Sequence, residues 1–194
     1  MEPGDIELVT LAKAAQDGRA FATLVSRHQA RLRAFLVRLC GDAALADDMA
    51  QEAFLKAHAG LAGFRGGASF RSWLYAIAYR EFLQDARKAK ATARLEIALH
   101  ENAGDHPAGG LEAGTSLDLR RALAGLEEME RASILLCDAA GFSHAEAAAA
   151  LSAPLGSVKT YVARAREKMR AALTAETAPV TPDRAPMEGE RHAV

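Results

Sequence analysis

Six histidines and two cysteines are scattered over 194 residues. No HExxH or CxxC pair sets metal ligands on one face, and Gly66-Gly67 lacks the lysine and spacing of a phosphate-cradling loop. His100 and His106 stand in a polar stretch with no supporting second shell, so no metal site and no cofactor are expected. The residues whose spacing does suggest chemistry are cations, and the chemistry is recognition. Over residues 156–170, Lys159, Arg164, Arg166, Lys168 and Arg170 face only Glu167, a net +4 in a chain of 24 basic and 25 acidic residues. Positive charge gathered on one element of a near-neutral protein is a footprint for phosphate. At about 100° per residue, Val158, Val162, Ala165, Met169 and Ala172 form one buried stripe. Gly156, Thr160, Ala163, Arg164 and Glu167 fall opposite it, with Lys159, Arg166 and Arg170 on one flank. Small residues among cations let a helix backbone approach a groove of duplex DNA.

That face needs an element to aim it. Phe142-Ser143-His144-Ala145-Glu146-Ala147-Ala148-Ala149-Ala150-Leu151 predicts a helix in which Ser143 and Glu146 form a capping box. Ser152-Ala153-Pro154-Leu155-Gly156 predicts a tight turn, with Pro154 in the first turn of the next helix. Helix, turn and cationic helix make the layout of a helix-turn-helix DNA reader. Two helices joined by a short turn also occur in many all-helical proteins, and a basic face is often only solvated surface.

A second constellation surrounds Gly63-Phe64-Arg65-Gly66-Gly67-Ala68-Ser69-Phe70. Phe64, Phe70, Trp73, Tyr75, Tyr79 and Phe82 gather there. The helix that follows ends with Arg80, Arg87, Lys88, Lys90 and Arg94 against Glu81 and Asp85, a net +3. Rings beside cations and a glycine loop suit single-stranded nucleic acid, whose bases stack on side chains while cations track phosphates. For most of these rings a place in the core is the expectation.

Half the residues are hydrophobic but only 6% are aromatic, and alanine dominates. This composition favours helices packed through small side chains over sheets. The fold class expected is all-α, with two small helical domains. No apolar run approaches a membrane span and the acidic N-terminus has no signal-peptide pattern, so a cytoplasmic protein is expected. Cys40 and Cys137 are far apart in apolar helical contexts and read as free buried thiols, a redox pair being the alternative.

Helices are predicted over Leu8–Gln16, Ala20–Cys40, Ala43–Leu61 and from Ser69 or Phe70 to about Ala93. On the second, Phe21, Leu24, Val25, His28, Leu32, Phe35, Leu36 and Leu39 form the buried side. Residues 101–115 are rich in glycine and polar side chains and read as a linker. Past Thr174, Pro179, Pro182 and Pro186 interrupt a polar tail for which disorder is expected. The organisation predicted is therefore 5–95 as one domain, 96–115 as linker, 116–174 as a second domain and 175–194 as tail.

Two separate stretches then resemble one family. Residues 46–57 (Ala-Asp-Asp-Met-Ala-Gln-Glu-Ala-Phe-Leu-Lys-Ala), followed by 64–78 from Phe64 through Trp73 to Ala78, look like the second domain of bacterial RNA polymerase sigma factors. The match is to the small extracytoplasmic-function group. Residues 126–151 and 154–166 resemble the fourth domain of the same group, and the order and the linker also fit. The resemblance spans about Asp5 to Leu173. It implies binding to core RNA polymerase and promoter DNA, with recognition of −35 and −10 elements and melting of the latter. It also implies control by an anti-sigma factor, no catalytic residues and no small-molecule substrate. By resemblance, Asp48, Gln51 and Glu52 dock on the clamp helices of the polymerase's largest subunit. Together with Asp47 and Leu55 they form an exposed acidic strip, suited to a basic partner. The loop, with Phe64, Arg65, Gly66, Ser69 and Trp73, matches the pocket for a base flipped from the −10 element. Arg80, Arg87 and Lys88 lie on the helix beside the melted strand. Lys159, Thr160, Ala163 and Arg164 match the −35 contacts.

The chain departs from the family at Tyr79-Arg80, where Arg-Asn is common, at Tyr161, where arginine is common, and at Leu126-Glu127, in place of Leu-Pro. The first removes an amide that reads a base edge, the second a phosphate contact, and the third alters a turn. A conventional helix-turn-helix regulator, binding DNA tightly without polymerase, is the competing function. A helical enzyme finds no support in the residues.

Overall fold

The computed structural model describes residues 3–15, 18–99 and 117–175. The first block holds α1 (Asp5–Ala15), α2 (Gly18–Cys40), α3 (Ala43–Gly60) and α4 (Phe70–Leu99), with a 3₁₀ turn at Leu61–Gly63. The second holds α5 (Leu117–Ala124), α6 (Glu128–Ile134), a π turn at Leu135–Ala139, α7 (His144–Leu151) and α8 (Leu155–Ala175). No strand occurs among the described residues, as an alanine-rich, aromatic-poor chain implies. The expected linker from residue 100 onward, with His100 and His106, and the tail beyond residue 175 lie outside the described residues.

Local signals account for most boundaries. α2 stops because Gly41 takes a left-handed φ of 81° while its N–H donates to the Val37 carbonyl. Asp42 then caps α3 by accepting from the Leu45 N–H at 3.0 Å. α1 begins at Asp5, three residues before the expected start, since the Asp5 carboxylate receives both the Arg27 guanidinium at 2.7 Å and His28 Nε2 at 2.8 Å. α4 passes the expected end near Ala93 and reaches Leu99. Nothing between Arg80 and Leu99 breaks a helix, and alanine, lysine and arginine favour one.

The expected stripe of α2 is buried except for Val25, which is half-buried beside a groove. α4 packs across α2 and α3 through Phe70, Leu74, Tyr75, Ile77 and Ala78. The second block closes on the same core: α7 lies along α4, and the π turn rests on α2. Arg131 of α6 donates to the Leu39 carbonyl of α2 at 3.0 Å and to the Leu126 carbonyl at 3.1 Å. Cys40 and Cys137 are free and only half-buried, and burial is the main cause that raises both thiols above their ordinary range. That disfavours the thiolate that redox or nucleophilic chemistry needs.

Candidate nucleic-acid interface

The helix-turn-helix forms as its local chemistry dictates. Ser143 Oγ accepts from the Glu146 N–H at 3.2 Å, and Glu146 Oε2 accepts from the Ser143 N–H at 2.9 Å. The first of these contacts pins the start of α7, and the second orders the chain entering it. α7 ends at Ser152, which adopts a left-handed φ of 52°, uncommon for a residue with a Cβ. The Ala153 N–H donates back to Ala148 at 3.0 Å, closing the turn. Pro154 precedes α8 instead of lying within it, and its carbonyl accepts from Val158. It is the cap residue, one position earlier than expected.

On α8 the buried stripe is Val158, Val162 and Ala165, with Met169 half-buried. Ala172 is exposed, because the helix has by then run past the core. Lys159, Thr160, Ala163 and Arg164 are all exposed, Lys159 on the flank of the stripe and the other three opposite it. Two of the five cations serve the fold. Arg166 makes paired hydrogen bonds to Asp138 at 2.9 and 2.7 Å, and Lys168 reaches the buried Glu130 carboxylate at 2.7 Å. The outward cationic face therefore consists of Lys159, Arg164 and Arg170. Thr160 donates its hydroxyl to the Gly156 carbonyl at 3.0 Å, which leaves the hydroxyl oxygen free to accept.

The glycine loop forms one wall of a cleft of about 320 Å³. Phe64, Arg65, Gly66, Trp73 and Arg80 line it, so five of the expected −10 residues meet there. Phe64 and Trp73 lie 4.9 Å apart between ring centroids, at the mouth of the core. Trp73 also rests against Gly60, where a Cβ would sit 3.4 Å from the indole. Lys13 braces the loop from α1 by donating to the Phe64 carbonyl at 2.7 Å. Gly66 has a left-handed φ of 74°, whereas Gly67 has an ordinary one and open space around it. Only the first of the pair needs glycine.

Three expected residues fall elsewhere. Ser69 caps α4, its Oγ accepting from the Ser72 N–H at 3.1 Å. Arg87 is exposed, farther along α4 and outside the cleft lining. Lys88 faces a separate cleft between α3 and α4, with Asp48, Glu52, Lys56, Glu81 and Asp85.

Asp48, Gln51 and Glu52 are exposed on α3 but point two ways. Asp48 and Glu52 border the α3–α4 cleft, where Lys56 bridges Glu52 at 3.4 Å and Glu81 at 2.5 Å. Gln51 borders a larger groove of about 680 Å³ between α2 and α3, floored by Phe21, Val25, Ala50, Phe54 and Leu55. Leu55 is 58% exposed there. Asp47 pairs with Arg33 across the rim, so the acidic strip is partly neutralised from within. The apolar groove escapes sequence reading, because its floor combines residues of two helices whose relative rotation no local pattern encodes.

Comparisons with known proteins agree with this architecture. Residues 24–92 match the family model Sigma-70 region 2, and residues 116–169 match Sigma-70, region 4. The chain is 32% identical over 170 residues to RNA polymerase sigma-H factor of Pseudomonas aeruginosa, covering 81% of this chain and 88% of that one. It is 35% identical over 170 residues to ECF RNA polymerase sigma factor SigM of Mycobacterium tuberculosis, covering 87% and 84%. Among solved structures it is similar to the sigma factor RpoE in complex with the anti-sigma factor NepR from Bartonella quintana. That match has TM-score 0.68, 29% identity, and covers 80% of this chain and 98% of that one. It is equally similar to CnrH in complex with the cytosolic domain of CnrY, with TM-score 0.67, 29% identity and coverage of 89% and 98%. With both regions present in order and relatives matched over most of their length, the chain belongs to the sigma-70 family of RNA polymerase sigma factors, in its extracytoplasmic-function group.

Proposed function

We propose that this chain is a promoter-specificity subunit that joins core RNA polymerase in the cytoplasm, recognises −35 and −10 elements and opens the latter, without catalytic chemistry of its own. The observation that carries this reading is the presence of two different nucleic-acid surfaces on one family-matched chain. The outward face of α8 combines cations with small residues and suits a duplex groove. The loop cleft combines a glycine turn, Phe64, Trp73 and two arginines, and suits a base removed from its stack. Residues 5–95 act as the domain for core polymerase and the −10 element, and 116–174 as the domain for the −35 element. Residues 96–115 join them, and 175–194 trail.

In this reading Lys159, Thr160, Ala163 and Arg164 contact the −35 element. Phe64, Arg65, Gly66 and Trp73 receive the flipped base, Ser69 holds the start of α4, and Arg80, Arg87 and Lys88 attract the strand. Asp48, Gln51 and Glu52 face core polymerase, with Gln51 at the edge of the apolar groove. An anti-sigma factor restrains the chain, a reading supported by the complex in which the similar RpoE was solved.

Run-off transcription from a genomic fragment library tests the proposal. Discrete transcripts are expected with chain and core polymerase together and with neither alone. Tight retention of specific fragments by the chain alone, with no change on adding core, would establish the conventional helix-turn-helix regulator instead.

A further inference from the structure

Two cations of α8 are claimed by carboxylates of other elements. Arg166 meets Asp138 of the π turn through two hydrogen bonds, at 2.9 and 2.7 Å, a planar pairing that fixes a guanidinium in direction as well as place. Lys168 donates to Glu130 Oε2 of α6 at 2.7 Å, and the same oxygen accepts from the Glu127 N–H at 3.2 Å. The Glu130 side chain is 2% exposed, and a carboxylate taken so far from water demands a cation. Arg164, one turn before Lys168, lies within the electrostatic reach of the same carboxylate. At about 100° per residue, Arg166 and Lys168 leave the helix about 160° apart, so one tether holds each flank of α8. Between the tethers the helix is seated on Val158, Val162 and Ala165, all buried and all short. Short side chains make shallow ridges, which resist lifting better than rolling. The two cationic side chains are still 52% and 46% exposed, so on release each would swing toward the edge of a bound groove.

We propose that Asp138 and Glu130 are positioning residues for −35 recognition: by holding Arg166 and Lys168 they fix the roll of α8 and keep two cations off the phosphates that border the groove. A phosphate contact raises affinity for every sequence alike, whereas contacts to base edges discriminate. A helix free to roll carries Thr160, Ala163 and Arg164 out of register with the base edges while its cations still grip the backbone. The two carboxylates thus set the sequence preference without touching DNA. The inference rests on the reading of α8 as the −35 helix.

The full chain assembled with core polymerase provides the test, through its affinity for promoter duplexes that differ only in the −35 element, measured across a salt series. Glu130→Gln is the first variant. Asp138→Asn, at an exposed position of the π turn, is the second should loss of the buried charge cost helicity. In either, the salt slope is expected to steepen by about one unit as the released cation finds a phosphate. The ratio of best to worst −35 element is expected to fall about fivefold as the base contacts lose register. Asp138→Glu, which keeps the charge, should restore both. Arg166→Ala should leave the slope at its wild-type value, because that cation is already spent inside the protein. A shallower slope in Arg166→Ala would place Arg166 on the DNA and overturn the withholding of cations. An unchanged ratio in both folded carboxylate variants would overturn the control of roll. A wild-type assembly with no preference among the −35 elements would strike the reading of α8 itself, an outcome distinct from either.

Discussion

At the scale of single residues, Arg164 separates two kinds of recognition. It projects away from Val158, Val162 and Ala165, so truncation leaves no cavity. If its guanidinium takes a guanine edge, Arg164→Ala loses about 1–3 kcal/mol of discrimination at one position of the −35 element. A phosphate contact would instead weaken all sequences alike and lower the salt slope by about one unit. The first outcome is expected, and transcription from a panel of −35 variants reads it. Asp48 and Glu52 carry a second expectation. Reversal of both to lysine places two more cations beside Lys56 and Lys88 and is expected to abolish co-purification with core polymerase. Glu52 and Lys56 form a solvent-exposed pair of the kind that contributes little to folding, so thermal stability should change little. Wild-type affinity for core would show that the polymerase docks elsewhere.

At the scale of elements, α7 depends on a titratable cap. The Glu146 carboxyl is held below its ordinary value of 4.5, first by the Ser143 N–H and then by the Ser143 hydroxyl. Asp138 is likewise lowered, chiefly by its bonds from Arg166. A carboxyl lowered in the folded state stabilises fully above its unfolded value and loses that contribution as pH falls through the folded one. Helicity should therefore decline below about pH 4.5, and Glu146→Gln should flatten that part of the profile in far-ultraviolet circular dichroism. The glycine loop offers another test. Gly66→Val forces a branched side chain into a left-handed backbone at roughly 1–2 kcal/mol, while Gly67→Val meets open space. Core binding should survive both. Permanganate reactivity of −10 thymines should fall in the first variant and stay near wild type in the second.

At the scale of the whole molecule, the two blocks share one contiguous core, running from Leu8 of α1 to Ala165 of α8. Arg131 of α6 ties the blocks by its bond to the Leu39 carbonyl of α2, while its bond to Leu126 anchors it within the second block. Removing it orphans half-buried carbonyls, and hydrogen bonds to charged groups are worth about 1.5–3 kcal/mol. Calorimetry of the wild type should give a single transition, because neither block keeps its full core alone. Arg131→Ala should lower the midpoint and split the transition in two. A single, unshifted transition would show that the α2–α6 tie contributes nothing to the coupling of the blocks.

How much of this was legible beforehand varies with the range of the interactions. The caps at Asp42 and Ser143, the stop at Gly41 and the stripe of α8 rest on contacts within a few residues, and the pattern of types along the chain determines them. The outward placement of Lys159, Thr160, Ala163 and Arg164 follows from the same periodicity. Recognition of the family also came from sequence, since two motifs in order are specific where either alone is common. The left-handed Ser152 was not legible, because the turn imposes a conformation that serine does not favour. Nor was the assignment of Arg166 and Lys168 to internal ion pairs, whose partners Asp138 and Glu130 lie 28 and 38 residues away. The separation of Gln51 from Asp48 and Glu52, the apolar groove beside Leu55 and the burial of Tyr79 under the second block depend on how whole helices rotate and pack. Sequence determined which faces were apolar, basic or acidic; only tertiary packing decided which of them meet each other and which remain for DNA and polymerase.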